Sequence, residues 1–161
     1  MPDNRQGRRP DRRNQEDEIY NRVIEIKRVA KKTTGGNSIS FTALMVVGDR
    51  QNQVGLALGK GLDVLSAINK GKKRAEKEMF VVPMRGKTIP HDIRFKRGAA
   101  QVLLRPAPPG SGIIASQSIK MVMEAAGYQD LSVKILGTNN KMSNVSAVIG
   151  ALKKLKEYDQ E

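Results

Sequence analysis

The run RPAPPGSGIIA, residues 105–115, sets three prolines and two glycines just ahead of a stretch with helical periodicity. Glycines in that position can cradle a phosphate, because free backbone N–H groups and the positive end of the helix macrodipole point the same way. A nucleotide phosphate there makes the chain an enzyme; a polynucleotide phosphate makes it a binding protein. Nucleotide chemistry finds little else to work with. No G-K-[ST] follows the glycines as in a Walker A loop, and the next lysine is Lys120, two turns into the helix. Between Asp92 and the C-terminal tail the carboxylates are Glu124 and Asp130, a poor set for holding Mg²⁺. His91 is the only histidine and there is no cysteine, so a structural or hydrogen-bonding histidine is favoured over a catalytic or metal-ligating one. The serines lack a base at suggestive spacing, and G-x-S-x-G is absent. The expectation is no catalytic residue, no metal and no cofactor.

Charge favours the polynucleotide. Lys and Arg number 29 against 16 Asp and Glu, a formal net charge of +13, and the pI is near 10.2. That balance implies a polyanionic partner. Residues 1–106 hold 23 basic and 11 acidic side chains, net +12, whereas residues 107–161 hold 6 and 5, net +1. The polyanion should therefore meet the first two thirds, leaving the last third to face protein or to build core. Aromatic residues are 4% and Trp is absent, so backbone recognition is favoured over base stacking on exposed rings. Lack of cysteine, of a long apolar run and of a signal-like N-terminus leads to the expectation of a soluble, intracellular protein with no membrane span.

The elements that must position these cations follow from periodicity. Residues 1–17 are charged and nearly devoid of apolar side chains, predicting a disordered basic arm that is either a nucleic-acid-binding extension or a solvated tail. IYNRVIEIKRVAKK alternates Ile24 and Ile26 against Glu25 and Lys27, as a half-buried strand does. SISFTALMVVGD and QVGLALGK supply two more strands, with turns at KTTGGNS and GDRQN. Gly35 and Gly36 leave the first hairpin tip bare, open to close approach by a partner or simply serving the turn. GLDVLSAINKGKKRAEKEMF is a helix capped by Asp63, with Val64, Ile68, Ala75 and Met79 as its core stripe and Lys70, Lys73 and Lys77 opposite. FVVPMR, residues 80–85, is a connector. TIPHDIRFKRG and AAQVLLRP form a second hairpin carrying Arg94, Lys96, Arg97 and Arg105. A helix with Ile119, Val122, Met123 and Ala126 inward stops at Gly127; LSVKIL is a strand; and a last helix turns Val145, Val148, Ile149, Leu152 and Leu155 inward. The fold class is α+β, βββα followed by ββαβα, two small domains at 18–80 and 81–158 with a tail at 159–161.

Four blocks, GGNSISFTALMVVGD, VGLALGKGLDVLSAINKGKKRAE, TIPHDI and LLRPAPPGSGIIASQSIKMVMEAAG, occur in order and together resemble bacterial small-subunit ribosomal protein five, over about Val23 to Leu152. The resemblance implies an N-terminal domain like a double-stranded-RNA-binding fold. It also implies a C-terminal domain whose fold is shared with small-molecule kinases of the galactokinase and homoserine kinase type, which accounts for the kinase-like look of PPGSG without catalysis. It implies a structural role: binding small-subunit ribosomal RNA, supporting subunit assembly and decoding accuracy, contacting ribosomal proteins four and eight, and lying near the messenger RNA entry region. The location implied is the ribosome, cytoplasmic or organellar. Carried onto this chain, the RNA-binding candidates are Arg28, Lys31, Lys32, Gly35, Gly36, Asn37, Lys60, Lys70, Lys73, Lys77, Arg94, Lys96, Arg97, Arg105 and Ser111. The family hairpin is close to V-V-K-G-G-R, so Thr34 and Asn37 here replace basic residues; Gln101 stands for an Arg, and Lys141 and Ser143 for Pro and Asn of a G-S-x-N-P-x-N turn. Two other readings stand beside this one: a free-standing double-stranded RNA binder, and a kinase relic with ATP at Ser111 and Gly112.

Overall fold

Residues with alternating polarity pair in register to start the chain's first sheet. In a computed structural model that describes residues 19–155, β1 (Tyr20–Thr33) and β2 (Gly36–Gly48) form a long antiparallel hairpin. Gly36 turns its tip at φ +125°, a conformation open to glycine, and Thr33 Oγ1 donates to Gly36 O at 2.7 Å. The arm at 1–17 and the tail at 159–161 lie outside the described residues. β3 (Gln53–Gly61) pairs antiparallel to β2. Their turn is organised by Asp49, whose Oδ1 accepts from the backbone of Gln51, Asn52 and Gln53 at 2.8, 3.1 and 3.0 Å. Partial burial pushes the Asp49 carboxyl up, but the backbone donors together outweigh it and leave it below its usual value.

α1 (Val64–Lys77) follows, its N-cap Asp63 accepting from Ser66 N at 2.7 Å. The buried stripe differs from the one expected. Ala67, Gly71 and Ala75 are buried, Ile68 is half-buried, and Val64 is exposed. The cause lies on β3, where Gly55, Gly59 and Gly61 face the helix. A Cβ at Gly59 would stand 2.1 Å from Ala67 O and 2.4 Å from Gly71 N, so helix and strand meet backbone to backbone and the helix turns its smallest residues inward. Large side chains have no room on that line.

The strand alternation of β1 also breaks. A bulge between Val23 and Glu25 sends Val23 to the α1 side and Ile24 to the opposite core, so Ile24 and Ile26 do not share a face. Phe80 and Val81, expected in a connector, form β4 (Phe80–Val81) beside β3, giving the order β1-β2-β3-β4.

The second sheet comprises β5 (Ile93–Arg97), β6 (Ala100–Pro106), β7 (Ile113–Ile114) and β8 (Leu131–Ile135), in the order β5-β6-β8-β7. β7 is an addition to the expected ββαβα order; it arises because Ile113 and Ile114 pair parallel to Leu131 and Ser132 across α2 (Gln117–Ala126). α2 buries Ile119, Val122, Met123 and Ala126 and ends on Gly127 at φ +98°. α3 (Lys141–Lys154) buries Val145, Val148, Ile149 and Leu152 and packs on β5 and β6. Leu155 is buried just past its end.

One core joins the two sheets. Val46 and Val54 of the first sheet share it with Val102, Leu104 and Leu131 of the second and with α2 and α3. Gly48 touches α2 so closely that a Cβ would stand 2.0 Å from Ala125 O. Arg50 N donates to Ala125 O at 3.0 Å, Tyr20 Oη to Glu124 Oε2 at 3.2 Å and Tyr128 Oη to Pro83 O at 2.7 Å. Burial pushes the Tyr128 hydroxyl up from its usual range, keeping it a neutral donor. The first sheet thus carries α1 on one face and α2 on the other.

Candidate nucleic-acid interface

β3 ends at Gly61, opposite Phe41, whereas the hairpin continues through five further pairs, Val29 with Ser40 to Thr33 with Gly36. At about 3.3 Å per residue that is an overhang of roughly 17 Å. Register assigns its cations to faces. Arg28 and Lys32 lie on the face that carries α1 lower down; Lys31 lies on the other, with Lys27. Asn37 pairs with Lys32 and shares its face, and Gly35 and Gly36 at the tip have nothing within 4 Å of where a Cβ would be. Lys60 of β3 sits opposite Thr42, which sits opposite Lys27, so these two lysines flank one threonine in a row across the sheet. Lys27 was not singled out from sequence, where it read only as the polar side of a strand; Glu25 lies 3.8 Å from it.

Lys70, Lys73 and Lys77 are exposed on α1, away from the buried Ala67–Gly71–Ala75 line. Lys70 and Lys73 border a shallow depression of about 310 Å³ with Asp63, Leu65, Ser66 and Asn69. Such an array of exposed ammonium groups on a rigid helix suits phosphate contact.

The third group of cations lies on the second sheet. Val102, Leu104 and Val133 point into the core, so their strand neighbours point out. Arg94, Leu103 and Lys134 form one outward row across β5, β6 and β8; Lys96 and Gln101 form the next, and Arg105 stands beside Ser132. Gln101, oriented with its amide oxygen toward Arg94, accepts from Arg94 Nε at 2.7 Å and so fixes the guanidinium. Arg105 faces Asp92 at 3.9 Å, and Arg97 is exposed at the end of β5. Lys134 is the residue that sequence reasoning missed here: alternation in LSVKI turns it outward, but only the β6–β8 pairing brings it level with Arg94.

The phosphate cradle expected at PPGSG is filled from within. Asp130, 7% exposed, accepts with Oδ1 from Gly110 N at 3.2 Å and Gly112 N at 3.0 Å. Ser111 N donates to Pro108 O at 3.2 Å. The loop's amides, which would hold a nucleotide phosphate, are therefore committed, and a carboxylate occupies the place of the anion. The loop also runs into β7 before α2 begins at Gln117, so its glycines do not sit at the helix start. Ser111 itself is exposed. Beside the loop a cleft of about 640 Å³ runs between it and Arg85, Lys87 and Thr88. His91 Nδ1 is 2.8 Å from Asp92 O. Among the described residues no cluster of His, Cys, Asp or Glu can hold a metal ion, and no helix is long and apolar enough to cross a membrane.

Comparison with known proteins follows the same lines. The family model described as "Ribosomal protein S5, N-terminal domain" matches residues 19–83, and that described as "Ribosomal protein S5, C-terminal domain" matches residues 95–161. The "Small ribosomal subunit protein uS5c" of Porphyra purpurea is 44% identical over 140 residues, 86% of this chain and 80% of that protein. The "Small ribosomal subunit protein uS5" of Rubrobacter xylanophilus is 43% identical over 154 residues, 96% and 77%. That of Dehalococcoides mccartyi strain 195 is 42% identical over 140 residues, 87% and 81%.

Proposed function

The chain belongs to the ribosomal protein S5 family, and from that premise we propose that its three groups of cations are the ribosomal RNA contacts of a scaffold that also seats protein neighbours. At the level of the family, it is a structural component of the small ribosomal subunit, a ribonucleoprotein, whose role is RNA binding and not catalysis. The contacts proposed are Arg28, Lys31, Lys32, Asn37 and the glycine tip on the hairpin; Lys60, Lys70, Lys73 and Lys77 on and before α1; Arg94, Lys96, Arg97 and Arg105 on the second sheet; and the exposed Ser111. RNA duplex presents phosphates and shape more readily than base edges, which suits fixed ammonium and guanidinium groups on rigid strands.

The observation that carries this reading is the overhang: five strand pairs leave the body of the protein with Lys31, Lys32 and no acidic residue. A hairpin that neither completes a core nor balances its charge is built to enter something else. The nearly neutral residues 107–161 then face the neighbouring proteins four and eight, and the pair of units, 18–80 and 81–158, supports assembly and decoding accuracy from beside the messenger RNA entry region. The test is co-sedimentation of the full chain with small ribosomal subunits through a gradient, with release as salt rises because phosphate contacts exchange for counterions. Protein that stays wholly in the soluble fraction at low salt refutes it. A nucleotide-binding reading is disfavoured by Asp130, which holds the amides such a ligand needs.

A further inference from the structure

The largest exposures of apolar side chains gather where the hairpin leaves the sheet. Leu62, 83% exposed, directly follows Gly61, the last paired residue of β3, and Leu65, 67% exposed, lies in the first turn of α1. On the hairpin, Ile39 lies on the same face as Arg28, Phe41 and Lys32, the face that α1 covers further down. The overhang and the turn into α1 therefore make an inside corner, with Ile39 on one wall, Leu62 on the other, and Arg28 and Lys32 along the edge, while Leu65 turns toward Asn69, Lys70 and Lys73. Nothing in the chain's described residues covers it.

Its charge decides the occupant. Residues 26–42 and 60–73 together hold eight basic side chains and one acidic, Asp63, and that carboxylate is already used as the cap of α1. A protein neighbour seated there would need matching acids around an apolar plug. A nucleotide matches the corner directly, as a flat apolar base joined to a phosphate. In a duplex the base is stacked and cannot reach side chains; in a bulge or loop it can be splayed out. Resting on the proposed RNA-binding reading, we infer that this corner takes one unpaired base of an RNA, its face against Leu62 and Ile39 and its flanking phosphates against Arg28 and Lys32. The corner would thereby select RNA by local structure, where the lysines of α1 only anchor.

The experiment uses the full chain and two RNA hairpins of one sequence, one fully paired and one with a single bulged 2-aminopurine. The expected result is about tenfold tighter binding of the bulged RNA, the scale of burying one Leu-sized apolar surface, with a change of fluorescence at the bulge. Leu62→Ser combined with Ile39→Ser should abolish that preference and leave the salt dependence unchanged, since no cation is lost. Both positions are exposed or nearly so, and an unaltered melting temperature checks the fold. Lys73→Gln should weaken both RNAs alike and keep the preference. Equal affinity of the native chain for the two RNAs, or a preference that survives the double substitution, overturns the inference while leaving the RNA-binding reading intact. A corner that serves a protein neighbour gives that same result. Failure to bind either RNA at low salt overturns both.

Discussion

Replacing Gly59 with alanine tests the backbone-to-backbone contact on which the position of α1 depends. The new Cβ would lie 2.1 Å from Ala67 O and 2.4 Å from Gly71 N, whereas ordinary contact begins near 3.4 Å. Both obstacles are backbone of a regular helix, so no rotamer change relieves them; α1 must retreat by about 1 Å, opening the line of Ala67, Gly71 and Ala75. Overpacking of this kind costs about 1–3 kcal/mol, and the rigid neighbours put Gly59→Ala at about 3. Gly71→Ala is the informative comparison. Its first obstacle is Met45 Cγ at 2.8 Å, a flexible side chain, with Gly59 N at 3.2 Å. The gain in helix propensity of about 1 kcal/mol offsets much of that strain, for a net loss below about 1 kcal/mol. Gly35→Ala, with nothing within 4 Å, should change stability by less than about 0.5 kcal/mol. Urea unfolding of the full-length variants at pH 7, with slopes compared as well as midpoints, measures all three. A Gly59→Ala chain within about 1 kcal/mol of the native one, or more stable than Gly71→Ala, refutes the close-docking account.

Lys73→Glu should lower affinity for structured RNA about tenfold near physiological salt and flatten the salt dependence, with an unchanged melting temperature; equal affinity removes the α1 face from the interface. Asp130→Ala should cost about 3 kcal/mol or more, since two hydrogen bonds to a carboxylate are lost and two amides are stranded. Calorimetry with phosphate or Mg-ATP should show no shift for the native chain, and a shift there would contradict the filled cradle. Asp49 titrates below its usual value when folded, so its contribution is present above about pH 4 and disappears as pH falls through the lowered value. Asp49→Asn should therefore be less stable than the native chain at pH 7 and approach it as pH falls through the lowered value; a difference that stays constant on acidification is evidence against the turn as described. Tyr128→Phe should lose about 1 kcal/mol at neutral pH with the bond to Pro83 O and show a weaker decline in stability above about pH 10, because the raised hydroxyl resists ionisation only while folded.

Elements whose information is local were legible in the chain. The i, i+3, i+4, i+7 spacing of Ile119, Val122, Met123 and Ala126 and the stop at Gly127 define α2, and Asp63 marks the start of α1. The buried line of α1 was not legible, because apolar periodicity counts Val64 and Met79 and gives no weight to glycine; the deciding residues, Gly55, Gly59 and Gly61, are on another element. The bulge at Val23–Glu25 breaks an alternation that looks perfect in one dimension. The candidate cations on α1 and the second hairpin stand out as exposed charges in a row, but their grouping needs pairing. Lys134 is brought level with Arg94 only through β6, and Asp130 reaches its loop from eighteen residues beyond Gly112.

That tethered carboxylate separates the loop from everything dissolved around it. Its effective concentration at the two amides is set by chain geometry and cannot be diluted or out-competed by a metabolite present in ordinary amounts. Salt that strips the lysines from their partner leaves this internal pairing in place, because the Asp130 carboxylate is buried and held at hydrogen-bond distance by the chain itself, where screening is weak. The protein should thus leave its assembly as a shaped, reusable part, already folded for the next round of building, and pass through a nucleotide-rich medium without picking up cargo.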